Sequence, residues 1–465
     1  MSNTDKRPCS TLSGGHLYGI FTAGLLSLSI LALTLIGLSQ ASSAPTEVIK
    51  LGAEVSHPLV SADARNTVYL KVSLEGLTLA DQGERPPLNL ALVIDRSGSM
   101  QGDRIKRAKE AAILAVEMLG DDDIVSIIAY DTHAQVIVPA TKARSKASII
   151  QAIRGIRPLN STALHAGVAL GASETEKFLS KERVNRVVLL SDGIANVGPS
   201  SPSELAALGR SLVAKGLSVS TIGLGLGYNE DLMSQLASAS DGNHVFVESP
   251  DQLTSIMGME LGDALAAVAK NAVLEVTFAE GVRPVRALGR EATFSGQRVT
   301  GRLGTIGAKQ TRYLLIEAEV NPLKVDMVSE LAQVKARFFV PSASTTEERT
   351  LVGPSVKAVE GSEDVRSAER KEVMEEVLSL LATEKQKIAV SLKDRGDSAG
   401  AARVMKESAQ LLSTGAKRYR SKKLDSLSEA AAEDSEEIKK SGADWSRLRK
   451  GMRRKAHKAK TQQAY

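Results

Sequence analysis

Residues 90–94 are apolar without a break and run into Asp95-x-Ser97-x-Ser99, a combination that restricts the fold more than any other stretch of the chain. The run lacks the apolar/polar alternation of a half-exposed strand, so it suits a strand buried on both faces in a parallel sheet covered by helices. Asp95, Ser97 and Ser99 then fall on the loop at its carboxyl end, where open α/β sheets bind ligands. One carboxylate and two hydroxyls are hard, weakly charged oxygen donors that suit Mg²⁺ or Mn²⁺ and leave coordination positions to water or a partner. More donors are needed, and two later loops carry them. Residues 160–167 hold Ser161 and Thr162 ahead of a helical pattern, and a second apolar strand, Val187–Leu190, ends in Ser191-Asp192-Gly193.

This ordered set, Asp95-x-Ser97-x-Ser99, then Thr162, then Asp192-Gly193, resembles the metal-ion-dependent adhesion site of von Willebrand factor type A domains, with all five positions filled. The resemblance implies that Ser97, Ser99 and Thr162 contact a cation through their hydroxyls, and that Asp95 and Asp192 hold it directly or through water. It implies Mg²⁺, or Mn²⁺ or Ca²⁺ in its place, and a partner protein whose Asp or Glu completes the coordination shell.

The pattern around this motif sets the domain plan. From Asn89 to Leu265 apolar strands alternate with amphipathic helices, as in a doubly wound, mainly parallel, Rossmann-like sheet; this domain is expected over residues 88–265. On both sides the period changes to two, at residues 67–74, 272–278, 311–318 and 332–340, which reads as antiparallel strand. Neither flank has enough strands to close a core alone, so residues 47–86 and 268–345 are expected to form one β-sandwich into which the α/β domain is inserted. The arrangement resembles bacterial proteins likened to calcium-activated chloride channel regulators. The amino-terminal flank is too short for the domain that precedes the A domain in inter-α-trypsin inhibitor heavy chains, which counts against a heavy-chain homologue. A Thr/Ser/Glu-rich connection near 341–365 leads to a helical hairpin over 366–440, whose turn holds Arg395-Gly396-Asp397.

The two ends of the chain differ from the rest. Lys6 and Arg7 precede a nearly uncharged run, Leu17 to Leu38, and then small residues up to Ala44. Residues 1–44 therefore read as a signal peptide or membrane anchor, cleavage being preferred, which puts the remainder in the periplasm or at the cell surface of a bacterium. The lone Cys9 lies ahead of that run, so the exported part relies on its core and not on disulfides. The formal charge is +5, but the last twenty residues hold eight Lys/Arg and no acid, so the rest of the chain is net negative. With 3% aromatic residues and no nucleic-acid-binding motif, nucleic acid is not expected as a partner. In the tail, 443–465, Trp445, Leu448 and Met452 share a helical face among basic residues. That suits contact with an anionic membrane surface, although a solvated, disordered tail is the preferred reading.

Other motifs carry less. Gly223, Gly225 and Gly227 are too closely spaced for a dinucleotide loop, no phosphate-binding Gly-x-x-x-x-Gly-Lys exists, and no Gly-x-Ser-x-Gly or His-Glu-x-x-His stands among the six histidines. Residues 120–123 read as an acidic turn, Asp131 as a turn residue, His133 as loop and His165 as a packing residue. The expectation is an exported, non-enzymatic protein that binds another protein through a divalent cation. The alternative is an envelope scaffold whose metal only stabilises the loops.

Overall fold

The computed structural model describes residues 47–77, 85–159, 161–192, 195–440 and 444–462. The expected export segment, 1–44, lies outside the described residues, as do Asn160 and Gly193.

Strands β1 (Ile49–Val55), β2 (Leu59–Ser61) and β3 (Asn66–Gly76) come first. In β3 the period-two pattern places Val68, Leu70, Val72 and Leu74 on one fully buried face. The chain then enters β4 (Leu88–Asp95), α1 (Asp103–Met118), β5 (Ile124–Tyr130), β6 (Ala134–Lys142), α2 (Lys146–Arg154), α3 (Leu164–Glu176), β7 (Val184–Ser191), α4 (Pro202–Ala214), β8 (Ser218–Leu224), α5 (Glu230–Ala239), β9 (His244–Val247) and α6 (Leu253–Leu265). These make a six-stranded sheet ordered β6-β5-β4-β7-β8-β9. Every neighbouring pair is parallel except β5 with β6. All residues of β4, β5 and β7 are buried, as unbroken apolar runs require when helices cover both faces. Leu92 and Ile94 face a core completed by α1, α2 and α6, while Ala91 and Val93 face α3, α4 and α5.

Helix α3 lies unusually close to the sheet. A Cβ on Gly167 would stand 2.7 Å from the Tyr130 ring, and one on Gly171 would stand 2.6 Å from Val93 Cγ2. The two glycines set the spacing between α3 and the strand ends, and so the position of Tyr130.

Past α6 the chain returns to strands that pair antiparallel except for β18, which runs parallel to β2: β10 (Ala267–Phe278), β11 (Val282–Leu288), β12 (Ala292–Ser295), β13 (Arg298–Gly307), β14 (Thr311–Val320), β15 (Val328–Glu330), β16 (Ala332–Val340), β17 (Thr345–Val352) and β18 (Ser355–Val359). The sheets are β1-β3-β14-β11, β12-β13-β10-β16-β17 and the small β15-β18-β2. Leu70 and Val72 from the first share a core with Leu274, Val276 and Val334 from the second, so strands from both sides of the α/β domain bury one apolar interior. The region read as a connection near 341–365 in fact holds β17 and β18. β17 is an edge strand with no buried residue whose first six positions are all Thr, Glu or Arg, and such charged edges carry no apolar alternation to read.

The carboxyl-terminal region also differs from expectation. After α7 (Ser362–Ser367) come α8 (Lys371–Asp394), α9 (Ser398–Tyr419), α10 (Lys422–Lys439) and α11 (Asp444–Thr461), where two helices and a tail were expected. Gly396, at φ +90°, turns the chain between α8 and α9, and Asp397 caps α9 by accepting from Gly400 N at 2.7 Å. The basic segment is α11. Its Met452 is buried against Ala389, Met405 and Ile438, with Trp445 and Leu448 packed around them. The stripe that suggested a membrane surface is therefore spent inside the protein.

Candidate metal centre

β4 and β7 are adjacent and parallel, so their carboxyl ends bring Asp95 and Asp192 to the same edge of the sheet. Asp95 is fully buried and each of its oxygens is occupied. Oδ1 accepts from Ser97 N at 2.8 Å, while Oδ2 accepts from Ser191 Oγ at 2.6 Å and from Tyr130 OH at 3.2 Å. Burial pushes its carboxyl above the ordinary carboxylate range, against the hydrogen bonds from Ser191 and Ser97. Ser97 Oγ lies 3.1 Å from Ser99 Oγ, and Ser99 Oγ donates to Asp192 Oδ1 at 2.8 Å. The other Asp192 oxygen is bound by the Arg104 guanidinium, which also donates to Ser99 O at 3.1 Å.

Four of the five expected residues thus form one continuous chain of contacts, Asp95, Ser97, Ser99 and Asp192. Thr162 is held nearby through its backbone: its N–H donates to Asn196 Oδ1 at 2.9 Å, and its carbonyl accepts from Asn196 N at 3.1 Å. Its loop is fixed on both sides, by Leu159 N on Arg96 O at 2.6 Å and Ala163 N on Asp131 O at 2.7 Å. Thr162 is 3% exposed, and its hydroxyl makes no hydrogen bond among the described residues.

The donor set, two carboxylates with hydroxyls between them, suits a hard divalent cation, while the Arg104 guanidinium already stands as a positive charge against one carboxylate. Among the described residues no three His, Cys, Asp or Glu side chains group as a metal site, so any cation here depends on the hydroxyls.

Other residues raised by the sequence have local roles. Asp131 pairs with Arg96 at 2.6 Å and orders the loop. Asp123 is buried at the opposite end of the sheet, where it accepts from Arg85, from Leu88 N at 2.6 Å and from Gly120 N at 2.7 Å. It clasps the start of β4. His133 and His165 line a cleft of about 380 Å³ beside the metal loops, with Ala163, Leu170 and Val197. The sequence reading missed Arg104, Ser191, Tyr130 and Asn196. Ser191 directly precedes the expected Asp192 and was within reach of inspection, whereas the others meet the site only through the fold.

A doubly wound sheet with an acid-and-hydroxyl centre across two adjacent strand ends defines a ligand-binding α/β domain. Residues 89–258 match the von Willebrand factor type A domain family, and this part of the chain is such a domain. An uncharacterized Synechocystis protein is 28% identical over 345 residues, covering 71% of this chain and 80% of that one. Human inter-α-trypsin inhibitor heavy chain H4 is 32% identical over 220 residues, or 44% of this chain and 23% of the heavy chain. The heavy chains are thus relatives over a limited stretch, which the short amino-terminal flank had argued against. Among solved structures, a von Willebrand factor type A protein from Catenulispora acidiphila superposes with a TM-score of 0.67 at 16% identity, covering 87% of this chain and 93% of that one. The similarity of fold therefore extends well past the A domain.

Proposed function

We propose that this protein binds another protein at the top of its A domain, through a divalent cation held by Asp95, Ser97, Ser99, Thr162 and Asp192. The observation that carries the reading is the contact chain from Asp95 to Asp192 across two strand ends. A bound cation would supply a positive centre with coordination positions open to a partner's Asp or Glu. The protein's own residues do the positioning. Ser191 and Tyr130 fix the orientation of Asp95, the Ser97 and Ser99 hydroxyls span the gap to Asp192, and Asn196 holds the Thr162 backbone. Mg²⁺ and Mn²⁺ fit this oxygen set best and Ca²⁺ less well, since only two carboxylates are present. Export to a bacterial periplasm or surface belongs to the same proposal, and no chemistry on a substrate is needed.

A second reading is supported by the same geometry. Both carboxylates are already satisfied by the chain itself, which is what a purely structural loop network requires. Crosslinked capture from native envelope by the full chain, with Mg²⁺ or EDTA and with Asp95→Ala as control, separates the two. Proteins captured only by wild type with metal support adhesion. Identical capture in all three conditions, together with a metal-dependent rise in melting temperature, supports a scaffold with a structural ion.

A further inference from the structure

Arg104 stands at the start of α1, on the solvent side of the centre. Its guanidinium binds Asp192 Oδ2 and the Ser99 carbonyl, yet 39% of its side chain is exposed while that of Asp192 is not exposed at all. The arginine therefore has a path to solvent, and while it stays in place the carboxylate has none. Gly225, at φ +70°, faces the guanidinium, and a Cβ there would lie 3.4 Å from Arg104 Nη2. A side chain at that position would narrow the room the arginine uses.

We propose that Arg104 is a tethered competitor for the metal centre: guanidinium and divalent cation contend for Asp192, and the cation gains the carboxylate as Arg104 moves outward. The inference rests on the metal-binding reading above and adds what sets the affinity. Two cations on one buried carboxylate repel strongly where water screens poorly. The arginine weakens metal binding by the amount its own contact with Asp192 is worth. It also keeps Asp192 paired when metal is scarce, since a buried unpaired carboxylate is costly.

The test is calorimetric titration of the full chain with Mn²⁺ alone, for wild type, Arg104→Gln and Arg104→Lys, with melting temperatures measured in EDTA. Arg104→Gln is expected to bind Mn²⁺ about tenfold more tightly than wild type and to melt lower in EDTA. Arg104→Lys, which keeps a charge without the planar fork, should fall between them. Equal or weaker Mn²⁺ binding by Arg104→Gln, with binding retained in wild type, overturns the competition and leaves the metal site standing. No Mn²⁺ binding by any of the three overturns both.

Discussion

Two of the places where the A domain gathers charge, the metal loops and its seam with α11, are built differently. At the metal centre Asp95 and Asp192 are held by hydroxyls and one backbone N–H, and the cation on them is the partly exposed Arg104. At the seam the acids meet cations directly. Glu230 binds both Arg449 and Lys450, Asp231 binds Arg449 and Arg453, and Arg447 lies 2.8 Å from Glu248. Lys450 also donates to Tyr228 O at 2.7 Å and lies 4.4 Å from the Tyr228 ring centre. Charge met by charge closes a surface, whereas charge met by hydroxyls and one partly exposed arginine can still be offered to a ligand. The comparison separates a joint from a site.

Breaking the joint should have the largest effect. Glu230 and Lys450 are almost fully buried, at 6% and 4% side-chain exposure, and removing one member of such a pair leaves an uncompensated charge. Glu230→Ala is expected to cost about 3–5 kcal/mol in denaturant unfolding. The same variant should leave Mn²⁺ affinity unchanged, and a matching loss of affinity would mean that seam and site are one unit.

Gly167→Ala, next to the site, tests whether α3 spacing governs it. Forcing a methyl against the Tyr130 ring should cost up to about 3 kcal/mol, and should weaken Mn²⁺ binding as well, because Tyr130 hydrogen-bonds Asp95. Lost stability with unchanged affinity would show that Ser191 and Ser97 orient Asp95 without help.

The seam should also respond to acid. His244 and His457 are both buried, with ring centres 5.6 Å apart, and burial lowers His244 to about 3 and His457 well below its ordinary value. The unfolded chain takes up protons near pH 6.5 while the folded one does not, so stability falls as pH drops below that point. Between pH 8 and pH 5 the loss is about 2 kcal/mol for His244 alone. Unfolding followed against pH should show this slope in wild type and a shallower one in His244→Asn.

The smallest effect should be at the site. Mg²⁺ at ten times its dissociation constant stabilises by about 1.4 kcal/mol, seen as a modest rise in melting temperature. Asp95→Ala should abolish that rise, and a rise that persists in the variant would move the metal elsewhere.

How much of this was legible follows from the same comparison. Asp95, Ser97 and Ser99 lie within five residues, and Asp192 ends a second apolar strand, so the site could be read from local spacing and the strand-then-acid pattern. Arg104 looked like an ordinary basic residue on a helix surface, because nothing local ties it to Asp192, 88 residues further on. The seam was less visible still. Glu230 and Asp231, the A-domain acids that pair with Arg449 and Lys450, lie about 220 residues earlier in the chain, and without them a basic stretch reads as a solvated tail. α10 was missed for a related reason: Leu424, Ala431 and Ile438 are its few buried apolar positions among charges, too sparse to stand out as a stripe.

By itself the sequence determined the doubly wound sheet, the antiparallel flanks and the donor set at the strand ends, because burial on two faces, period-two alternation and hydroxyl spacing are properties of neighbouring residues. Only the tertiary structure decided that β17 and β18 extend the sandwich region, that the basic tail is a helix locked on to the A domain, and that Arg104 shares Asp192 with the candidate centre. Those outcomes depend on which distant acid each cation reaches, and a chain's local pattern does not encode distance in space.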